Sequence, residues 1–113
     1  VSTYENGKSG EQRAVKFLQE EGFQILERNF RNHIGEIDII CKKENVLYFV
    51  EVKSWKGKFI HPLEIFTKKK IYKMRSLAEY YFIKRNVLER EYYVSFAMIY
   101  LQKDKIEFFQ DLF

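Results

Sequence analysis

Gly35-Glu36-Ile37-Asp38-Ile39-Ile40-Cys41, followed after Lys42-Lys43-Glu44-Asn45 by Val46-Leu47-Tyr48-Phe49-Val50-Glu51-Val52-Lys53, is the stretch on which the reading of this chain turns. Two apolar runs flank a short polar connection, so the sequence predicts strands over 36–42 and 46–53 joined by a tight turn. Both faces of each run carry large apolar side chains, as in strands that are covered on both sides. A period of two puts Glu36, Asp38 and Ile40 on one face, and Glu51 and Lys53 on the face of Leu47 and Phe49. A carboxylate in such a strand is costly unless a cation or a hydrogen-bonding partner compensates it. Two on neighbouring strands also repel each other unless something positive lies between them. A metal ion is the economical compensator, and oxygen ligands select a hard cation, Mg²⁺ or Mn²⁺, over zinc.

Working outward, Ser9 and Gln12 read as a capping box that opens a helix running to about Glu21, with Ala14, Phe17 and Leu18 as its apolar stripe. Gly22 ends it. A short strand is expected near Gln24 to Phe30. Beyond the central strands, 54–66 reads as a loop holding the only Trp and the only Pro. A second helix is expected from about Thr67 to Arg85, because Ile71, Met74, Ala78, Tyr81 and Phe82 recur at helical spacing. Strands near Tyr93 to Leu101 and Ile106 to Gln110 close the chain. The order αβββαββ predicts an α/β fold with a mixed central sheet and helices packed on it.

At 113 residues the chain is expected to form one domain, 1–113. Its 46% hydrophobic and 18% aromatic content is enough to fill a core, which excludes disordered and low-complexity classes. The unbroken apolar runs Val46 to Val50 and Phe96 to Leu101 both fall far short of the roughly 20 residues a membrane helix needs. No charged segment leading into an apolar one marks the chain for secretion, and the single Cys fits a reducing compartment. A cytoplasmic protein is therefore expected, with no membrane partner.

Charge is unevenly placed. The chain has 20 Lys plus Arg against 16 Asp plus Glu. Between Lys53 and Arg75 the cations Lys53, Lys56, Lys58, Lys68, Lys69, Lys70, Lys73 and Arg75 are opposed by Glu64 alone. Such a segment suits a polyanion, whose counterions are released on binding. A solvated surface face is the plainer reading of a charge run.

The chemistry-bearing residues converge on the central strands. Lys53 lies one strand step beyond Glu51, where its ammonium could stabilise charge building on a phosphate oxygen. Glu11 shares the inward stripe of the first helix with Ala14 and Leu18, so a third carboxylate could face the sheet. Each has a plain alternative: Glu11 as an acid favoured by the helix dipole, and Asp38 with Lys53 as a cross-strand ion pair. Cys41, on the other face from Asp38, reads as a core thiol. His33 and His61 lack partners at zinc spacing and read as loop residues. Tyr80-Tyr81-Phe82 and Tyr92-Tyr93 read as core and interface aromatics.

The set Gly10-Glu11, Ala14, Phe17-Leu18, Asn29, Gly35-Glu36-Ile37-Asp38 and Phe49-Val50-Glu51-Val52-Lys53, continued by Lys70 and Ala78, resembles the YraN-like family of small bacterial proteins. That family looks like archaeal Holliday junction resolvases within the restriction-endonuclease-like (PD-(D/E)XK) nuclease superfamily. The resemblance implies a restriction-endonuclease-like sheet with the site where the strands of Asp38 and Glu51 diverge. It implies that Asp38, Glu51 and the Val52 carbonyl bind the metal, that Lys53 is the catalytic lysine, and that Glu11 is an accessory acid. The expected activity is Mg²⁺- or Mn²⁺-dependent cleavage of DNA, with branched or junction DNA as the candidate substrate. A homodimer is expected by analogy with resolvases. Lys56, Lys58, Lys68, Lys69, Lys70 and Lys73 are the expected nucleic-acid contacts. The alternative is a DNA-binding module that keeps the fold without catalysis.

Overall fold

The computed structural model describes residues 3–54, 57 and 61–113, without the side chains of 3–8 and 63. Helix α1 spans Thr3–Glu20 and is followed by strands β1 (Gln24–Arg31), β2 (Glu36–Lys43) and β3 (Val46–Ser54). A four-residue helix, α2 (Pro62–Ile65), precedes α3 (Lys68–Lys84), and strands β4 (Tyr93–Leu101) and β5 (Ile106–Phe109) complete the chain. The five strands form one sheet in the order β1-β2-β3-β4-β5. Only β3 and β4 run parallel, joined across the sheet by α3; the other neighbours are antiparallel. This is the expected mixed α/β architecture, and it matches a restriction-endonuclease-like topology.

One helix covers each face. Ala14, Val15 and Leu18 of α1 pack with Ile39, Cys41, Val50, Ala97 and Ile99. Met74, Leu77, Ala78, Tyr81 and Phe82 of α3 pack with Ile40, Leu47, Phe49, Phe96 and Met98 on the other side. The strands at the centre of the sheet are therefore apolar on both faces, which explains their unbroken runs. The C-terminal residues return over the α3 side: Leu112 N–H donates to the Phe96 carbonyl, and Phe113 stacks on Phe96 at 4.6 Å. Among the described residues no helix is long and apolar enough to cross a membrane.

Three expectations about local structure need correction. Helix α1 begins at Thr3, so Ser9 lies inside it and Ser9 with Gln12 is not a capping box. The 54–66 stretch contains α2, a single turn too short to register as a periodicity. The period of two also fails around Asp38. Ile37 and Ile40, three apart, both pack on the α3 side, while Ile39 and Cys41 pack on the α1 side. The irregularity is shared by the neighbouring strand: Asn29, flanked by the Arg28–Ile39 and Phe30–Ile37 pairs, has a φ of 54°. Asn is among the few residues that tolerate this left-handed conformation.

By contrast, α3 ends where expected. Thr67 Oγ1 accepts the Lys70 N–H at 3.2 Å as N-cap, and the C-cap is Arg85. At the end of α1, Phe23 N–H returns to the Leu18 carbonyl around Gly22, whose φ of 90° suits a residue without a side chain. Cys41 is fully buried, and burial pushes its thiol up to about 12. Tyr81 and Phe82 are core residues, Tyr80 and Tyr92 are half-buried, and Tyr93 is exposed.

Candidate metal centre and its basic flanks

Pairing between β2 and β3 runs from Lys43–Val46 to Ile39–Val50 and goes no further. Beyond that point the strands part, and Val52 N–H has no ladder partner on β2. The Asp38 carboxylate takes its place, accepting the Val52 N–H at 2.8 Å through Oδ2. A side chain thus fills the fork between two strands and satisfies a backbone donor that would otherwise be stranded.

Helix α1 brings Glu11 to the same fork. Gly10 permits its close approach, since a Cβ there would stand 3.3 Å from both Leu101 Cδ1 and Ser54 Oγ. Glu11 is then held from β1: Asn29 Nδ2 donates to Glu11 Oε2 at 3.1 Å, and Arg28 lies 3.9 Å from the same oxygen. Glu36 approaches from the start of β2, with Arg31 at 3.7 Å. Ligand oxygens of Glu11, Glu36 and Asp38 all lie within 4.8 Å of one another. Such an all-oxygen cluster is the donor set of a hard divalent cation.

The electrostatics agree with that assignment. Asp38 is pushed up to about 8, chiefly by burial and next by the negative charge of Glu51. The Val52 N–H opposes the rise, and Glu11 and Glu36 add to it. The site therefore collects more carboxylate than it compensates, a situation that a divalent cation reverses.

Glu51 is 6% exposed and stands outside the triad. Its Oε1 accepts from Lys70 Nζ at 3.2 Å, while Lys53 Nζ lies 3.8 Å away. Lys53 thus pairs with Glu51 along its own strand; among the described residues it forms no cross-strand pair with Asp38. Lys53, Lys69, Lys70 and Lys73 line one cleft of about 380 Å³ with Ile65 and Thr67. Lys68 is exposed at the first position of α3. Lys56 and Lys58 lie outside the described residues.

Two features escaped the sequence reading. Glu36 shares a face with Asp38 at strand spacing, and that spacing is the signal in the sequence for its place in the cluster. The hold of Asn29 and Arg28 on Glu11 crosses 18 and 17 positions of sequence and left no local signal.

Fold and site together define a mixed α/β protein of restriction-endonuclease-like topology with a half-buried acidic cluster in a strand fork. The model of the "Uncharacterised protein family UPF0102" matches residues 10–107, and the chain belongs to that family. A UPF0102 protein of Clostridioides difficile is 41% identical over 114 residues, spanning 100% of both chains. One from Campylobacter jejuni is 37% identical over 99% of this chain and 96% of its own. Another, from Caldicellulosiruptor saccharolyticus, is 40% identical over 86% of this chain and 83% of its own. The YraN-like membership expected from the motifs is thereby borne out.

Proposed function

We propose that this protein is a divalent-metal-dependent endodeoxyribonuclease acting as a single domain, with branched DNA as its preferred substrate. The observation that carries the reading is the Asp38 carboxylate. It sits in the strand fork with Glu11 and Glu36 oxygens within 4.8 Å, and its ionisation is held back by burial and surrounding acids. Asp38 and Glu51, with the Val52 carbonyl, are assigned to Mg²⁺ or Mn²⁺, and Glu11 and Glu36 complete the oxygen-rich surround. When bound, the ion supplies a Lewis acid and an ordered water to a phosphodiester. Lys53, which lines the lysine cleft and lies 3.8 Å from Glu51, offsets charge on the phosphate oxygens during attack. Lys68, Lys69, Lys70 and Lys73 hold the DNA backbone beside it, together with Lys56 and Lys58. A cytoplasmic homodimer, each copy cutting one strand, fits a symmetric junction substrate.

One observation favours the alternative of a DNA-binding module without catalysis: Glu51 is already neutralised by Lys70 and Lys53. The two readings separate when linear duplex, single-stranded and four-way-junction DNA are incubated with the protein in Mg²⁺, in Mn²⁺ and in chelator. Metal-dependent cutting, strongest on the junction, is expected. Binding without cutting of any substrate would favour the alternative.

A further inference from the structure

A second concave surface lies on the opposite flank of the acidic cluster. It is a cleft of about 290 Å³ lined by Glu27, Arg28, Asn29, Phe30, Arg31, Tyr80, Lys84 and Arg85. Four cations meet one carboxylate there. That carboxylate, Glu27, is taken by Arg85 through Nε at 3.0 Å and through Nη2. Lys84 has no carboxylate partner among the described residues; Arg28 and Arg31 lie 3.9 Å and 3.7 Å from Glu11 and Glu36 of the acidic cluster, and Arg31 stays 73% exposed. Tyr80, braced by Phe30 at 5.7 Å between ring centroids, adds a polar aromatic wall.

Each cation has a plain explanation by itself. Lys84 and Arg85 complement the negative end of the α3 dipole, and charges on the edge strand β1 discourage strand pairing with another chain. Neither explains why they face one concavity, nor why that concavity shares a wall with the acidic cluster. Asn29 lines the cleft, and its side-chain amide donates to Glu11. Strand order places Asp38 on β2 between the two basic clefts, one at β1 and one at the end of β3. Helix α3 contributes to both, with Lys70 at its start and Lys84 at its end. At a rise of about 1.5 Å per residue these positions are about 21 Å apart. That equals about six steps of a duplex at 3.4 Å each.

We propose that Arg28, Arg31, Tyr80 and Lys84 form a second phosphate-binding surface, which holds the DNA on the far side of the acidic cluster from the lysine cleft. The proposal rests on the DNA-cleaving reading above and extends it to the path of the substrate. The DNA then bridges the acidic cluster, anchored on both flanks, so that the phosphate at its centre is presented to Asp38.

The test is binding in chelator, where no cutting occurs, to a duplex of about 24 base pairs over a series of salt concentrations, with hydroxyl-radical footprinting of the same complexes. Arg31→Ala/Lys84→Ala is expected to weaken binding about ten-fold at moderate salt and to flatten the salt slope by nearly two units. Its footprint should shorten at one end by about half a helical turn, whereas Lys68→Ala/Lys69→Ala should shorten the opposite end. Both replaced side chains are exposed, so the unfolding midpoint should match the parent and certify the fold. An unchanged slope and footprint, with the parent binding normally, would overturn this surface and leave the proposed nuclease function standing. A parent that binds no DNA at all would overturn both.

Discussion

The Asp38 carboxylate and the Val52 N–H are joined at 2.8 Å where β2 and β3 stop pairing. One hydrogen bond thus does two things: it closes the open end of a strand fork, and it fixes the carboxylate on which the acidic cluster is centred.

The first consequence is a pH dependence of stability without metal. The folded-state value of Asp38 is about 8 against an ordinary 3.8, so between these limits the native state holds a proton that the unfolded state has lost. Stability should therefore fall as pH rises from about 4 to about 8 and level off above. Asp38→Asn should flatten this slope and stabilise the metal-free protein at neutral pH. Thermal unfolding in chelator across that range measures it; a parent and variant with parallel profiles would contradict the assignment.

Metal binding should expel the same proton. Below pH 8 the Asp38 carboxyl is mostly protonated, so the apparent affinity for Mg²⁺ or Mn²⁺ should rise by up to about ten-fold per pH unit and then level off. Calorimetric titrations in two buffers of different ionisation enthalpy should show close to one proton released per ion at pH 7. No buffer dependence at that pH would count against it.

Lys70 and Lys53 should differ in what they do for the fold. Lys70 is 3.2 Å from the buried Glu51 and itself mostly covered, whereas Lys53 is 3.8 Å away and more exposed. Lys70→Met should destabilise by on the order of 1–3 kcal/mol, because it leaves a buried carboxylate short of its nearest cation. Lys53→Met should cost no more than about 1 kcal/mol. Adding Glu51→Gln to Lys70→Met should recover much of the loss. Urea unfolding of the four proteins decides the matter, and equal costs for the two lysines would refute the distinction.

Much of this architecture was legible in the sequence because the chain signals it locally. Strands β2 and β3 are apolar on both faces because helices cover both, and α3 carries its N-cap at Thr67 and its apolar stripe in plain view. Helix α1 was cut short because Ser9 and Gln12 happen to match a capping pattern in mid-helix. The geometry of the site was less accessible. Alternation places Asp38 above a sheet, but the carboxylate lies in the fork, where strand divergence and the left-handed Asn29 override the period of two. The Lys70–Glu51 pair joins residues 19 apart; composition shows Lys70 only as one of three adjacent cations, and the family resemblance singles it out without giving its partner.

At the start of α3, Lys68 and Lys69 are exposed cations where the helix dipole prefers anions. Their replacement by Ala should weaken DNA binding for all sequences alike and flatten the salt slope by about one unit per lost contact. In the absence of DNA, the same change should leave stability unaltered or slightly raised. A slope equal to the parent's would show that these lysines touch no phosphate.

The most direct measurement is single-turnover cleavage of a DNA four-way junction in Mg²⁺ by the parent protein and by Asp38→Asn, each repeated in chelator. The parent is expected to cut with Mg²⁺ and to stop in chelator. Asp38→Asn, which keeps the shape of the side chain but cannot ionise to hold the ion, is expected to bind the junction in chelator at least as tightly while cutting it in Mg²⁺ at least about a hundred-fold more slowly. Equal cutting by the two proteins, or no cutting by the parent of a junction that it binds, would contradict a catalytic metal centre at Asp38.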